Sequence, residues 1–200
     1  MESFGVIRDH KCWLIDSLIL TKQESRSLVD MTKSSEGILL YRATVDGFTS
    51  QAFHSKCDGK ENTITIIKTD ENYVFGGYAS SAWNSSSKSI KDSNAFLFSL
   101  RRGGVSFKDK FIIKKCDDKN ALYGDARYGP IFGGFFGPWY KDCDILIENN
   151  SNTTNGSFCE FGTSFRLPDG CKFTTNSRDF FAGSFDQWTT TEIEVYQLIK

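Results

Sequence analysis

"NTITIIKTDENYVFGGYAS", residues 62–80, alternates threonine with isoleucine, pauses at "TDEN", and resumes as an aromatic run broken by Gly76 and Gly77. Two β-branched or aromatic runs across a short polar turn form a hairpin. The glycine pair invites a second reading, a loop that cradles phosphate. Such a loop requires G-x-G-x-x-G or G-x-x-x-x-G-K-[ST] spacing opening into a helix. That spacing is missing here and in the related stretches "YGPIFGGF" (128–135) and "FFAGSF" (180–185). Glycine inside a strand marks a bulge or a close neighbour, so all three segments read as strands against which something packs.

Further strands are expected on both sides of the hairpin, at "ILLYRAT" (38–44), "AFLFSL" (95–100), "KFIIKK" (110–115), "DILIEN" (144–149) and "TEIEVYQL" (191–198). Helices are few. Thr21 and Glu24 have the capping-box spacing, which predicts a helix over 22–31. "SQAFHSKC" predicts a second, ending at Asp58-Gly59, and Asp46-Gly47 predicts a turn before it. "NSSSKSIKDSN" (84–94) and "NNSNTTNGS" (149–157) read as loops. Many strands with few helices between them imply an α+β, mainly β fold, a sandwich of two antiparallel β-sheets flanked by short helices.

A chain of 200 residues reads as one domain, and folding at this size removes roughly 70% of the unfolded surface from water. Lys and Arg total 24 against 25 Asp and Glu, so no global field draws the protein to nucleic acid or to an anionic membrane. The densest basic stretch, "KDKFIIKK" (108–115), reads as a solvated strand. The N-terminus has neither the basic start nor the continuous apolar run of a signal peptide, and it is too short in apolar residues to span a bilayer. A cytoplasmic location without membrane insertion is the expectation. The six cysteines include no C-x-x-C pair, so they are expected to be free thiols.

No catalytic constellation stands out. His10 and His54 are the only histidines, too few for a multi-histidine metal site. His54 stands three residues before Cys57, a spacing that can share one helix side, but no oxyanion device accompanies it. Glu192 and Glu194 at strand period are expected on a polar face, with Ile193 and Val195 in the core. Asp142 and Asp144 read as solvated turn acids, since the EF-hand pattern is absent. No enzyme, metal or cofactor follows from these motifs.

In combination the segments say more. "LLYRATVDGFTSQAFHSKCDGKENTITIIKTDENYVFGGYASSAWNSS", "DSNAFLFSL", "YGPIFGG", "DILIENNSNTTNGS" and "FAGSFDQWTTTEIEVYQL", in this order, resemble the TLDc domain family. The resemblance assigns residues 38–200 to that domain and 1–37 to an N-terminal extension carrying a lead-in helix. It implies the same β-sandwich and places Arg42, Asp46, Gly47, His54, Cys57, Gly76, Gly77, Gly133, Gly134 and Glu194 at family-motif positions. It also implies a non-catalytic protein-interaction module linked to oxidative-stress resistance, with the soluble V1 sector of the vacuolar proton-pumping ATPase as candidate partner. The alternatives are a thiol-dependent redox enzyme using Cys57 with His54, and a structural adaptor on a cytoskeletal or ciliary assembly. The chain departs from the family at "FFGPWYKDC", where Phe135, Phe136, Trp139 and Tyr140 either anchor a partner or lie buried under their own loop.

Overall fold

The computed structural model describes residues 16–134, 143–167, 180–184 and 188–199. Within them the order is α1 (Lys22–Thr32), β1 (Glu36–Arg42), α2 (Ala43–Asp46), α3 (Ser50–Cys57), β2 (Thr63–Thr69), β3 (Val74–Ala79), β4 (Lys88–Ile90), β5 (Phe96–Arg102), β6 (Val105–Ile112), β7 (Leu122–Gly124), β8 (Ile131–Phe132), β9 (Ile145–Leu146) and β10 (Thr190–Ile199). The β2–β3 hairpin forms as expected, in a register that sets Ile66 opposite Gly76 and Thr65 opposite Gly77. It lies at the centre of a six-stranded sheet ordered β1-β10-β2-β3-β5-β6, and a four-stranded sheet, β4-β7-β8-β9, packs over it. All ladders between these strands are antiparallel.

The inner strands of the large sheet, β10, β2, β3 and β5, are buried on both faces, whereas the edge strands β1 and β6 are largely exposed. One face carries Ile67, Phe75, Leu97, Ile193 and Val195 and meets Leu122, Phe132 and Ile145 of the small sheet. The opposite face carries Ile64, Ile66, Phe98 and Leu198 and is covered by Leu28 and Met31 of α1. That helix starts where the sequence places it: Thr21 accepts the Glu24 N–H, and the Glu24 side chain accepts the Thr21 N–H at 2.8 Å, completing the capping box. Glu24 also accepts from the Arg101 Nε at 2.8 Å, so the cap locks α1 to β5.

Gly77 shows what the glycine pair is for. A Cβ there would stand 2.5 Å from the Phe132 ring, and one at Gly76 would collide with the Thr65 carbonyl. The small sheet therefore rests its central aromatic ring on bare backbone, which is the close approach that favours glycine in a strand.

Several expected strands differ. "ILLYRAT" splits into β1 and the helical turn α2, since the Asp46 carboxylate accepts the Arg42 N–H at 2.9 Å and curls the chain there. β6 begins earlier than "KFIIKK", and "DILIEN" contributes only the two residues of β9. "NSSSKSIKDSN" contains β4, paired with β7. The described part of "FFAGSF" is a turn, not a strand. Its successive rings, Phe180 and Phe181, both pack on Phe161, at 5.4 and 4.6 Å between centroids. Neighbours in a strand point to opposite faces, so this arrangement requires a turn. Among the described residues of the three segments, the glycines lie within a strand in β3, whereas in "YGPIFGGF" they directly follow the strand β8.

Candidate functional site

Four of the motif positions, Asp46, Gly47, His54 and Cys57, lie on or next to α3. Thr49 caps this helix by accepting the Ala52 N–H, and Phe53 and Cys57, four residues apart, turn inward. Phe53 meets Tyr41 and Trp83 edge-to-face, at 6.0 and 5.5 Å between centroids. Trp83 in turn meets Phe132 and donates its Nε1–H to the Thr63 hydroxyl at 2.9 Å. A polar tip satisfied inside an aromatic cluster is the usual arrangement for a buried tryptophan.

His54 is buried at the rim of this cluster. Its Nδ1 lies 2.8 Å from the Asp58 carboxylate, and its Nε2 lies 2.9 Å from the Asp125 carbonyl and 3.0 Å from that of Tyr128. Both nitrogens face acceptors, so the ring donates on both sides when doubly protonated. The imidazole thereby ties α3 to the turn at 125–128. Asp125 is held below the usual carboxylate range, chiefly by its bonds to the Arg127 guanidinium. Ser85 donates to the other Asp58 oxygen at 2.6 Å. Serine, aspartate and histidine are therefore linked in an order unsuited to a hydrolase, with the hydroxyl on the carboxylate and not on the imidazole.

Cys57 is fully buried, and burial pushes its thiol well up, with the charges of Asp58 and Asp46 acting in the same direction. A reactive thiol requires the opposite, exposure and a lowered pKa. Cys143 and Cys159 are buried too, and Cys116 is exposed.

A second cluster joins β1 to β10, where Arg42 stands opposite Glu194. The Glu194 carboxylate accepts the Arg42 Nε at 3.0 Å, the Leu18 N–H at 2.9 Å, the Ser17 hydroxyl at 2.6 Å and the Tyr196 hydroxyl at 3.1 Å. Burial, and then the Glu194 charge, raise the Tyr196 phenol above its ordinary value. Glu192 bonds to the N–H and hydroxyl of Thr44. The expectation of two solvated glutamates is therefore overturned: both are buried, because α2 and the segment at 17–18 cover that face and bring donors to it.

Asp144 corrects a second expectation, since it is fully buried and not a solvated turn acid. It accepts N–H groups from Gly162 at 2.8 Å, Thr163 at 3.1 Å and Ser164 at 2.8 Å, with Phe165 at 3.4 Å. Burial pushes it up to about 7, against those backbone bonds and the nearby Lys114 charge. Gly133 has a φ of +92°, and a Cβ there would come within 2.7 Å of the Asp144 amide nitrogen. Gly134 continues the contact by donating its N–H to the Ser164 hydroxyl at 2.9 Å. "GG" at 133–134 is thus fitted to a buried carboxylate and the loop it gathers. The sequence signal for this was an acid inside an otherwise apolar run, "CDILI". Asp142, Phe135, Phe136, Trp139 and Tyr140 lie outside the described residues.

Among the described residues no group of three or more His, Cys, Asp or Glu is placed to hold a metal ion. The motif positions are engaged in caps, ring contacts and internal bonds. The model of the TLDc domain family matches residues 14–199. This chain belongs to the TLDc domain family. The match takes in α1 as well as both sheets of the TLDc fold. Comparison with curated proteins gives no match.

Proposed function

We propose that this TLDc protein is a non-catalytic interaction module that acts on a cytosolic assembly, with the V1 sector of the vacuolar proton-pumping ATPase as the candidate and oxidative-stress resistance as the setting. The observation that carries the reading is the employment of the motif side chains. Arg42, Asp46, His54, Cys57 and Glu194 are each bonded or buried within the sandwich. Residues used in this way specify a rigid scaffold, and binding then belongs to its edges and loops. No helix among the described residues is long and apolar enough to cross a membrane.

The thiol-enzyme alternative gains no support from a buried Cys57 whose nearby imidazole is committed to Asp58, Asp125 and Tyr128. The test is co-purification of the protein with V1, together with ATPase assembly measured with and without it. Binding at about micromolar concentration and altered assembly are expected. No binding at that concentration sinks the V1 candidate.

A further inference from the structure

The groups bonded to the His54 imidazole share one property: each of them accepts. Nδ1 faces a carboxylate oxygen of Asp58 at 2.8 Å, and Nε2 faces the carbonyls of Asp125 at 2.9 Å and Tyr128 at 3.0 Å. The other Asp58 oxygen already accepts the Ser85 hydroxyl at 2.6 Å. A neutral imidazole carries one N–H and one lone pair. With the proton on Nε2, the Nδ1 lone pair points at the carboxylate; with it on Nδ1, the Nε2 lone pair points at two carbonyls. Only the imidazolium, or an equivalent proton held between Nδ1 and Asp58, satisfies both sides. The side chain is 9% exposed, so a nitrogen that faces the wrong partner gains little from water.

The surroundings hold both signs of charge. On and beside α3, Asp58 faces Nδ1, Lys56 is turned away to Asp46 at 2.9 Å, and Cys57 points into the core. The turn at 125–128 carries the Asp125 carboxylate, bonded to the Arg127 guanidinium at 2.7 Å, and the Tyr128 phenol. The Phe53 ring stands edge-to-face on the imidazole at 5.0 Å and carries no charge. His54 also lies in the last turn of α3, where the helix dipole favours a cation. From the imidazole the bonds cross to a turn that leads into β8. Tyr128 closes that turn by donating its N–H to the Asp125 carbonyl at 3.1 Å, and Gly129 donates to the Ile147 carbonyl at 2.8 Å. The turn itself is at the surface, with the Arg127 side chain 60% exposed.

We propose that His54 is a proton-operated latch: doubly protonated, it clamps the turn at 125–128 to α3, and loss of one proton releases the turn and changes the surface around Arg127. The latch is closed at the acid end and opens as pH rises, because the lone pair uncovered by deprotonation faces an acceptor in either tautomer. It is a switch built into the sandwich, and it stands whether or not the protein is an interaction module.

The experiment follows the nitrogen-labelled full chain by NMR from about pH 5 to about pH 9, a span that covers the ordinary histidine range. His10→Ala leaves His54 as the single histidine signal. Ring nitrogens that both carry protons give nearly equal shifts, and they separate when one proton leaves. Hydrogen exchange at the Tyr128 and Gly129 amides, corrected for the intrinsic rate at each pH, reports the latch. The ring signals are expected to separate while protection of those amides falls about tenfold or more, with one shared midpoint. Asp58→Asn is the deciding variant. Its amide presents an N–H to the Nδ1 lone pair and keeps its carbonyl for Ser85, so the neutral ring fits and the latch should stay closed at the alkaline end. A merely structural contact predicts the opposite, loss of protection in Asp58→Asn at every pH. That result, a ring whose protonation does not change over the range, or a ring that loses its proton without loss of protection would each overturn the proposal. Should Asp58→Asn fail to fold, the parent protein decides, since separate midpoints for ring and amides overturn the latch as well.

Discussion

Arg42 and Glu194 face each other across β1 and β10, with Nη2 2.9 Å from Oε1 and a carboxylate that has no exposure to water. The same carboxylate collects Ser17 and Leu18, so it fastens the entering chain to the last strand. Removing one member of a buried pair leaves the other charge without compensation, at about 3–5 kcal/mol. Glu194→Ala is expected to cost that much in urea unfolding. Glu194→Gln keeps an acceptor for Leu18 and should cost distinctly less. Equal losses for the two would show that the charge itself matters little.

Gly77 and Phe132 make a second test, this time of packing between the sheets. A methyl group at Gly77 would stand 2.5 Å from the ring of Phe132, and overpacking of this kind costs about 1–3 kcal/mol. Gly77→Ala should destabilise by that amount. In a Phe132→Leu background the added methyl meets less, so the cost of Gly77→Ala should shrink, giving a coupling of about 0.5 kcal/mol or more in a double-mutant cycle. Additive effects would place the strain elsewhere.

The sequence carried the large sheet and the helices well, for local reasons. The 62–80 hairpin, the Thr21–Glu24 box and the helix over Ser50–Cys57 are each written in a run of consecutive residues. The small sheet was poorly legible, because β8 and β9 have only two residues each and exist through their ladders and burial, not through periodicity. Acids misled for a related reason. Asp144, Glu192 and Glu194 look solvated until distant segments bring N–H and hydroxyl donors to them. Spacing alone also put His54 near Cys57, whereas the partners that define the imidazole, Asp125 and Tyr128, come from far along the chain.

Asp144 should leave a signature in the pH dependence of stability. Burial raises its folded-state value from 3.8 to about 7. Between those limits the folded protein keeps a proton that the unfolded chain releases, so this contribution is full at the acid end and is lost as pH rises through the window. The slope from one such group is at most about 1.4 kcal/mol per pH unit. Asp144→Asn removes the titration and should flatten that component in urea midpoints taken from pH 4 to pH 7. It should also lower stability throughout by about 1–3 kcal/mol, because an amide N–H₂ in place of Oδ2 cannot accept the Ser164 N–H. An unchanged profile would mean that the backbone donors hold Asp144 ionised.

The cysteines separate the binding module from a thiol enzyme. Cys116 is exposed, whereas Cys57, Cys143 and Cys159 are buried, and burial raises the thiols of Cys57 and Cys159. Thiolate, not thiol, is the nucleophile. Alkylation of the native protein followed by peptide mass spectrometry should therefore mark Cys116 and spare these three until denaturant is added. Peroxide consumption should be the same for the parent protein and for Cys57→Ser. Rapid native labelling of Cys57, together with loss of peroxide consumption in Cys57→Ser, would restore the redox reading and would require an opening of α3 away from Phe53 and Trp83.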